Sequence, residues 1–270
     1  MRRTTALSVL GCAGLLAIYA LPLYWLVATS FKSLKDVFAE SAAVIFTPTV
    51  QAYVEVWNGG FAASAVNSVI IAVSTTVIVL AIAVPTSYGL ARLNGAVVTG
   101  ALAVLIILQM VPATSTLIPL NRLLAQWGLT GNLYGVAIAI AATNLPFSIL
   151  LLRPFFTGVP IAIEEAAASD GANRWQRFVK IVLPITRNGI ATVATLTFIG
   201  AWGEFLYAIT FLNDPGLYPV SALLAQQMSS YGVNWPGLMA VSVLVSVPTV
   251  LIYLFGQRLL VGGITMGSVR

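Results

Sequence analysis

The sequence has 270 residues, 59% hydrophobic and 8% charged, with a net charge of +5 from thirteen Lys and Arg against eight Asp and Glu. Soluble domains carry about 25% charged residues, so this composition describes a polytopic membrane protein with no polar stretch long enough for a large soluble domain. There is no His and a single cysteine, Cys12, which excludes histidine metal sites, histidine proton relays, an internal disulfide and cysteine-cluster metal sites.

In chain order, apolar runs with few or no charges predict six spans, near residues 6–30, 65–91, 98–120, 133–156, 188–212 and 237–257. Each is long enough for the roughly 20 residues a spanning helix needs. The runs are continuous rather than alternating, which selects helices over barrel strands. The expected fold is all-α, a single membrane domain over 1–270 with six transmembrane helices. The first run starts at Arg2 and Arg3, but its apolar part is too long for a signal core and no small-residue cleavage site follows. It reads as an uncleaved first helix, with Cys12 a packing residue on it.

Placing the N-terminus in the cytoplasm leaves Lys32, Lys35 and Arg122 as the only basic residues outside, out of thirteen. That asymmetry is the positive-inside pattern, and it explains the net charge without nucleic acid. Both termini and the segment 157–187 are then cytoplasmic. The first outer loop carries Lys32, Lys35, Asp36, Glu40 and Glu55 and forms either a small cap or a solvated loop. The middle outer loop, Asn121 to Gly135, is short. The third, Asp214 to Pro236, is too polar to span and reads as a re-entrant or surface helix. Pro85, Pro112, Pro119, Pro146 and Pro248 lie within spans, where each either kinks its helix or is one of the prolines that membrane helices commonly hold.

The segment Glu165 to Pro184 is the longest charge-rich stretch. Val159-Pro160-Ile161 can open a helix, with Glu164 and Glu165 near its positive end. Ala166, Ala167 and Ala168 favour helix, and Gly171 can take the left-handed conformation that ends one. Asn173 and Gln176 match a capping box for a second helix. Trp175, Phe178, Val179 and Val182 then recur as one apolar stripe, beside a basic row of Arg174, Arg177 and Lys180. Pro184 is expected to stop this helix before the fifth span. The pattern either docks on a partner or packs against the protein's own membrane face.

The spacing Glu165-Ala166-Ala167, Asp170-Gly171-Ala172, Phe178, Ile181, Leu183-Pro184 resembles the cytoplasmic signature of permease subunits of bacterial ABC importers. Asn67-Ser68, Ala91-Arg92, Leu145-Pro146-Phe147, Trp202 to Leu212 and Gly262-Gly263-Ile264-Thr265 are similar to the carbohydrate branch, in particular to the second permease subunit of maltose-type importers. Family members often have Asn where Gly203 stands, so no role is carried to that position. The resemblance implies the type I permease fold and import of a sugar or oligosaccharide into the cytoplasm. It also implies that the signature residues form a coupling helix seated in a cytoplasmic ATPase subunit, with Asp170-Gly171 at the corner entering the cleft and the tail Gly262 to Arg270 near the ATPase pair. The implied partners are a second homologous permease, two copies of the ATPase, an extracytoplasmic solute-binding protein and membrane lipid. The location is the bacterial plasma membrane.

A phosphate-binding loop requires a glycine before its lysine. Lys32, Lys35 and Lys180 follow Phe31, Leu34 and Val179, so the chain is expected to be no enzyme, to bind no cofactor, and to rely on ATP and Mg held by the partner ATPase. No catalytic or metal-binding residue is expected. Glu204 is the only ionisable residue deep in a span. It either lines the pathway, with Trp202 and Tyr207 offering aromatic faces to a sugar ring, or bonds a neighbouring helix. Gln109, Thr143 and Asn144 read as helix–helix hydrogen-bonding groups. The alternatives are an importer of another polar solute, such as glycerol phosphate, and an ion-coupled secondary transporter, for which only Glu204 is available.

Overall fold

The computed structural model describes residues 2–39, 45–229 and 232–266. Glu40 and the last four residues of the expected ATPase-facing tail lie outside them. The chain forms α1 (Arg2–Ser30), the short helices α2 (Leu34–Ala39) and α3 (Gln51–Val56), a π-helical turn Trp57–Phe61, and α4 (Ala62–Arg92). It continues through α5 (Ala96–Gln109), α6 (Ala113–Gln126), α7 (Leu133–Thr157), α8 (Ile161–Ser169) and α9 (Arg174–Arg177). A second π-helical turn, Phe178–Val182, leads into α10 (Leu183–Trp202), followed by α11 (Leu206–Phe211) and a 3-10 turn, Pro215–Leu217. Then come α12 (Val220–Gln226), a minimal hairpin of β1 (Met228–Ser229) and β2 (Gly232–Val233), and α13 (Trp235–Met266).

The architecture is all-α and polytopic. Among the described residues, five helical stretches are long and apolar enough to cross a membrane: Gly11–Ser30, Gln51–Arg92, Leu133–Thr157, Arg174–Trp202 and Trp235–Leu254. A sixth exists if α5 and α6 count as one broken span, for the two are bent by 99° at their junction.

That junction departs from the continuous helix expected over 98–120. Pro112 has no N–H, and proline drives the residue before it out of the helical region. The helix tightens through Met110 N to Ile107 O (3.0 Å) and Val111 N to Leu108 O (3.3 Å), then restarts from an extended Pro112 at φ −60°, ψ 136°. The other four prolines within the expected spans, Pro85, Pro119, Pro146 and Pro248, lie inside unbroken helices. The middle outer loop is shorter than expected, since α6 carries Arg122 to Gln126 in helix.

The fifth expected span, 188–212, also differs. Its helix begins at Leu183 and ends at Trp202, and a break at Gly203–Phe205 separates it from α11. Pro184 does not stop the preceding helix. Its missing N–H and its ring disrupt the turn above it, and the chain widens into the π turn Phe178–Val182 and runs on into α10. A single π turn within a helix absorbs such a defect without breaking the rod.

Two compact units partition the chain: residues 1–63 with 222–248, and residues 64–221 with 249–270. In the first, the segment after α1 is folded rather than simply solvated. Thr49 N donates to Phe31 O (2.8 Å), Ser30 Oγ and Tyr53 Oη share a hydrogen bond (2.7 Å), and the Phe31 and Tyr53 rings lie 5.0 Å apart. Lys32 is buried, its ammonium 5.3 Å from the Trp25 ring and 5.1 Å from that of Phe46. Such cation–π contacts let an ammonium sit among apolar groups.

The second unit holds a core drawn from α4, α7, the second π turn and α10: Val79, Ala83, Ile149, Leu152, Phe156, Phe178, Val182 and Val193 all contribute. Small polar residues tie α4 to α7. Thr75 Oγ1 donates to Ala137 O (3.3 Å) and Ser87 Oγ to Ile149 O (3.1 Å). Such side-chain bonds are a common cement between membrane helices, where apolar burial alone drives little association.

Candidate coupling site

The cytoplasmic-signature segment is built from local rules. Pro160 precedes α8 in an extended conformation (φ −60°, ψ 132°) and Glu164 falls in the first turn. At the other end Asp170 N bonds Ala166 O, Gly171 N bonds Ala168 O (3.0 Å), and Ala172 N bonds Ala167 O (2.9 Å), with Gly171 at φ +87°. The last two bonds are the paired reverse bonds of a Schellman ending, which needs a residue in the left-handed region. Glycine takes that conformation at no steric cost. α9 then opens with a full capping box: Gln176 N donates to Asn173 Oδ1 (2.9 Å) and Asn173 N donates in return to Gln176 Oε1 (3.0 Å).

The signature residues separate into two groups. Glu165, Ala166, Asp170 and Gly171 are exposed, and Ala167 and Ala172 are half-buried. They present a small-residue corner, and Ile161 and Ile163, at the other end of α8, are also exposed. Phe178 is buried, while Ile181 and Leu183 are half-buried and Pro184 is exposed where the rod continues. The Phe178 ring lies 4.8 Å from Tyr88 and 5.8 Å from Trp175. The apolar stripe expected on α9 is only half internal: Phe178 and Val182 are buried, whereas Trp175 is 70% exposed and Val179 is exposed.

Glu164 and Arg92, each with its own local reading in the sequence, are brought together in the structure. Glu164 is buried, and its Oε1 accepts from Arg92 Nε at 2.6 Å, with Arg92 Nη2 also at 2.6 Å. Tyr88 Oη donates to Glu164 Oε2 (2.5 Å). Arg92 also donates to the carbonyls of Phe156 (2.9 Å) and Val159 (3.1 Å), at the end of α7 and just beyond it. The available signal was an arginine closing a long apolar run and a second glutamate beside the signature one.

Of the residues considered for a pathway, Glu204 and Tyr207 are brought together. Glu204 Oε1 accepts from Tyr207 N (3.0 Å), so the carboxylate caps the first turn of α11, and Glu204 O accepts from Ser221 Oγ (2.6 Å). Tyr207 is buried, and its hydroxyl meets Thr116 Oγ1 (2.6 Å) and donates to Ala113 O (3.3 Å). Trp202, at the end of α10, is buried and stacks on Phe198 with centroids 6.3 Å apart. Thr143 and Asn144 bond carbonyls of their own helix. Asn67 and Ser68 reach further: Asn67 Nδ2 donates to Gly216 O (3.0 Å) and Tyr218 O (3.3 Å), and Ser68 Oγ accepts from Val220 N (3.0 Å).

Residues 58–265 match the family model described as the binding-protein-dependent transport system inner membrane component. The probable ABC transporter permease protein YurM of Bacillus subtilis is 33% identical over 251 residues, covering 93% of this chain and 84% of the relative. The diacetylchitobiose uptake system permease protein NgcG of Streptomyces coelicolor is 28% identical over 256 residues, covering 94% and 85%. Among solved structures, a chain of a bacterial ABC transporter that imports the acidic polysaccharide alginate superposes with a TM-score of 0.78 at 24% identity, covering 95% of this chain and 97% of that one. The fold is therefore that of a type I ABC permease.

Proposed function

The chain belongs to the family of inner-membrane components of binding-protein-dependent transport systems, and from that premise we propose how it works and what it carries. It is the permease subunit of an ABC importer and serves uptake of a sugar or oligosaccharide. The diacetylchitobiose permease, similar along nearly the whole chain, supports a carbohydrate cargo.

The exposed corner at Asp170 and Gly171 carries the mechanistic reading. A nine-residue helix, α8, ends there in a tight turn with alanines along its flank. Small side chains permit close backbone approach, and a convex corner suits a cleft in another subunit. That subunit is an ATPase present in two copies, which holds the ATP and Mg. The remaining partners are a second, homologous permease and an extracytoplasmic binding protein that delivers the solute. Closure of the ATPase pair displaces α8, and the spans tilt between outward- and inward-facing states. Both termini and residues 157–187 lie on the cytoplasmic side, in keeping with the distribution of Lys and Arg.

The test changes Asp170→Lys and, separately, Gly171→Trp, then measures co-purification with the ATPase and solute uptake. Both are expected to fall at least tenfold, because a reversed charge or a bulky side chain at φ +87° spoils the corner. Unchanged assembly and uptake in both variants would sink the coupling role.

A further inference from the structure

We propose that Arg92 and Tyr88 clamp Glu164 so that α8 is held as a rigid extension of α4 and of the end of α7, and that this clamp determines how much of a displacement of α8 reaches the spans. The proposal rests on the reading of α8 as the coupling helix and names the residues that transmit what the exposed corner receives.

Glu164 and Glu165 are adjacent but point to different faces. Glu165 is exposed, whereas Glu164 is 5% exposed and both its carboxylate oxygens are engaged from α4. Successive helical residues are about 100° apart, so one carboxylate serves the outer surface while its neighbour anchors the helix from within. Arg92 sits in the last turn of α4 and divides its fork between the acid and two carbonyls, Phe156 O and Val159 O. A planar five-donor group can hold an acid and a helix end at once; a lysine ammonium cannot reproduce that fixed fork. The carbonyls at the end of α7 carry partial negative charge, which the guanidinium offsets.

The clamp is closed from below by aromatic packing. The Tyr88 ring lies 5.9 Å from Phe156 of α7 in an edge contact and 4.8 Å from Phe178 of the second π turn. The guanidinium carbon of Arg92 lies 5.5 Å from the same Tyr88 ring. One tyrosine therefore touches the acid of α8, the last turns of α7 and the start of the α10 rod. A short helix joined to the protein only by its two flanking turns would rock when pushed at residues 170–171. With Glu164 held, the push is delivered to α4, α7 and α10 together. Arg92 and Tyr88 are thus positioning residues.

The experiment uses the assembled importer in proteoliposomes and compares solute moved per ATP hydrolysed. Arg92→Gln, Arg92→Lys and Tyr88→Phe are measured beside the charge exchange Arg92→Glu with Glu164→Arg. ATPase association is checked first by co-purification, and Asp170→Lys is run in parallel to report on docking itself. Arg92→Gln and Arg92→Lys are expected to keep the ATPase bound and hydrolysing while the transport-to-ATP ratio drops at least fivefold. Tyr88→Phe is expected to drop it about twofold, and the exchange to recover part of the loss. An unchanged ratio in both Arg92 variants overturns the clamp, even if Asp170→Lys still abolishes docking. Loss of assembly in both Arg92 variants also overturns it, because the pair would then serve only folding. A normal result for Asp170→Lys instead defeats the docking reading, and the two failures are told apart.

Discussion

Gly189 of α10 lies against the ring of Phe155 of α7 so closely that a Cβ at 189 would stand 2.4 Å from the ring's Cγ. No real contact is that short, so the two helices approach at a distance that only a glycine permits. Gly189→Leu should separate α7 from α10 and destabilise the fold by about 1–3 kcal/mol, the usual range for overpacking. The expected outcome is reduced yield and a lowered melting temperature in detergent, with partial recovery when Phe155→Ala is added. A Gly189→Leu variant as stable as the parent would contradict this packing.

Glu204 is placed to accept from the first turn of α11 through Oε1. Glu204→Gln keeps an oxygen that can accept from Tyr207 N, whereas Glu204→Ala removes the acceptor. Losing a cap of this kind costs about 1 kcal/mol. Uptake should be near parental for Gln and clearly reduced for Ala. Equal loss in both would return Glu204 to the role of a pathway charge.

Asn67 holds two carbonyls of the segment after α11, at Gly216 and Tyr218. Asn67→Leu should leave both without their donor and cost about 1–3 kcal/mol. Hydrogen exchange over residues 214–220 should quicken more than exchange in α10. Uniform protection across both stretches would show the bonds to be incidental.

The capping box at Asn173 and Gln176 fixes the start of α9. Asn173→Ala should loosen the helix start by about 1 kcal/mol and weaken ATPase co-purification by a few fold without abolishing it. Asn173→Asp should remain close to the parent, since aspartate caps equally well. Complete loss of association in the Ala variant would mean that Asn173 itself contacts the partner.

The legible parts of this molecule are those whose rules are local. Gly171, Asn173 and Gln176 specify a helix end and a helix start within a few residues, and the bonds they imply are all present. The long apolar runs likewise indicate membrane helices before any packing is known. The Arg92–Glu164 pair was not legible because its partners are 72 residues apart and each has an ordinary local reason to be where it is. Arg92 reads as an inner-leaflet charge and Glu164 as a favourable charge near a helix start. Pro184 departs from its local rule for a different reason. Proline in a helix interior ordinarily breaks it, but packing of Phe178 and Val182 into the core holds the rod together across a widened turn. Pro112 has no such support: neighbouring Met110 and Val111 are 76% and 45% exposed, and there the helix turns aside.

That turn sets a solvation problem. α5 has 14 residues, which at 1.5 Å each is about 21 Å, short of the roughly 30 Å of a bilayer's hydrocarbon layer. Where α5 and α6 together make one broken span, the elbow between them falls at membrane depth, and the end of α5 leaves its last carbonyls outside the helical ladder. Lipid tails offer those carbonyls nothing, and irregular backbone at that depth persists only against protein or water. In that arrangement the elbow at Met110–Pro112 is turned away from lipid, toward either a neighbouring subunit or an aqueous route through the membrane.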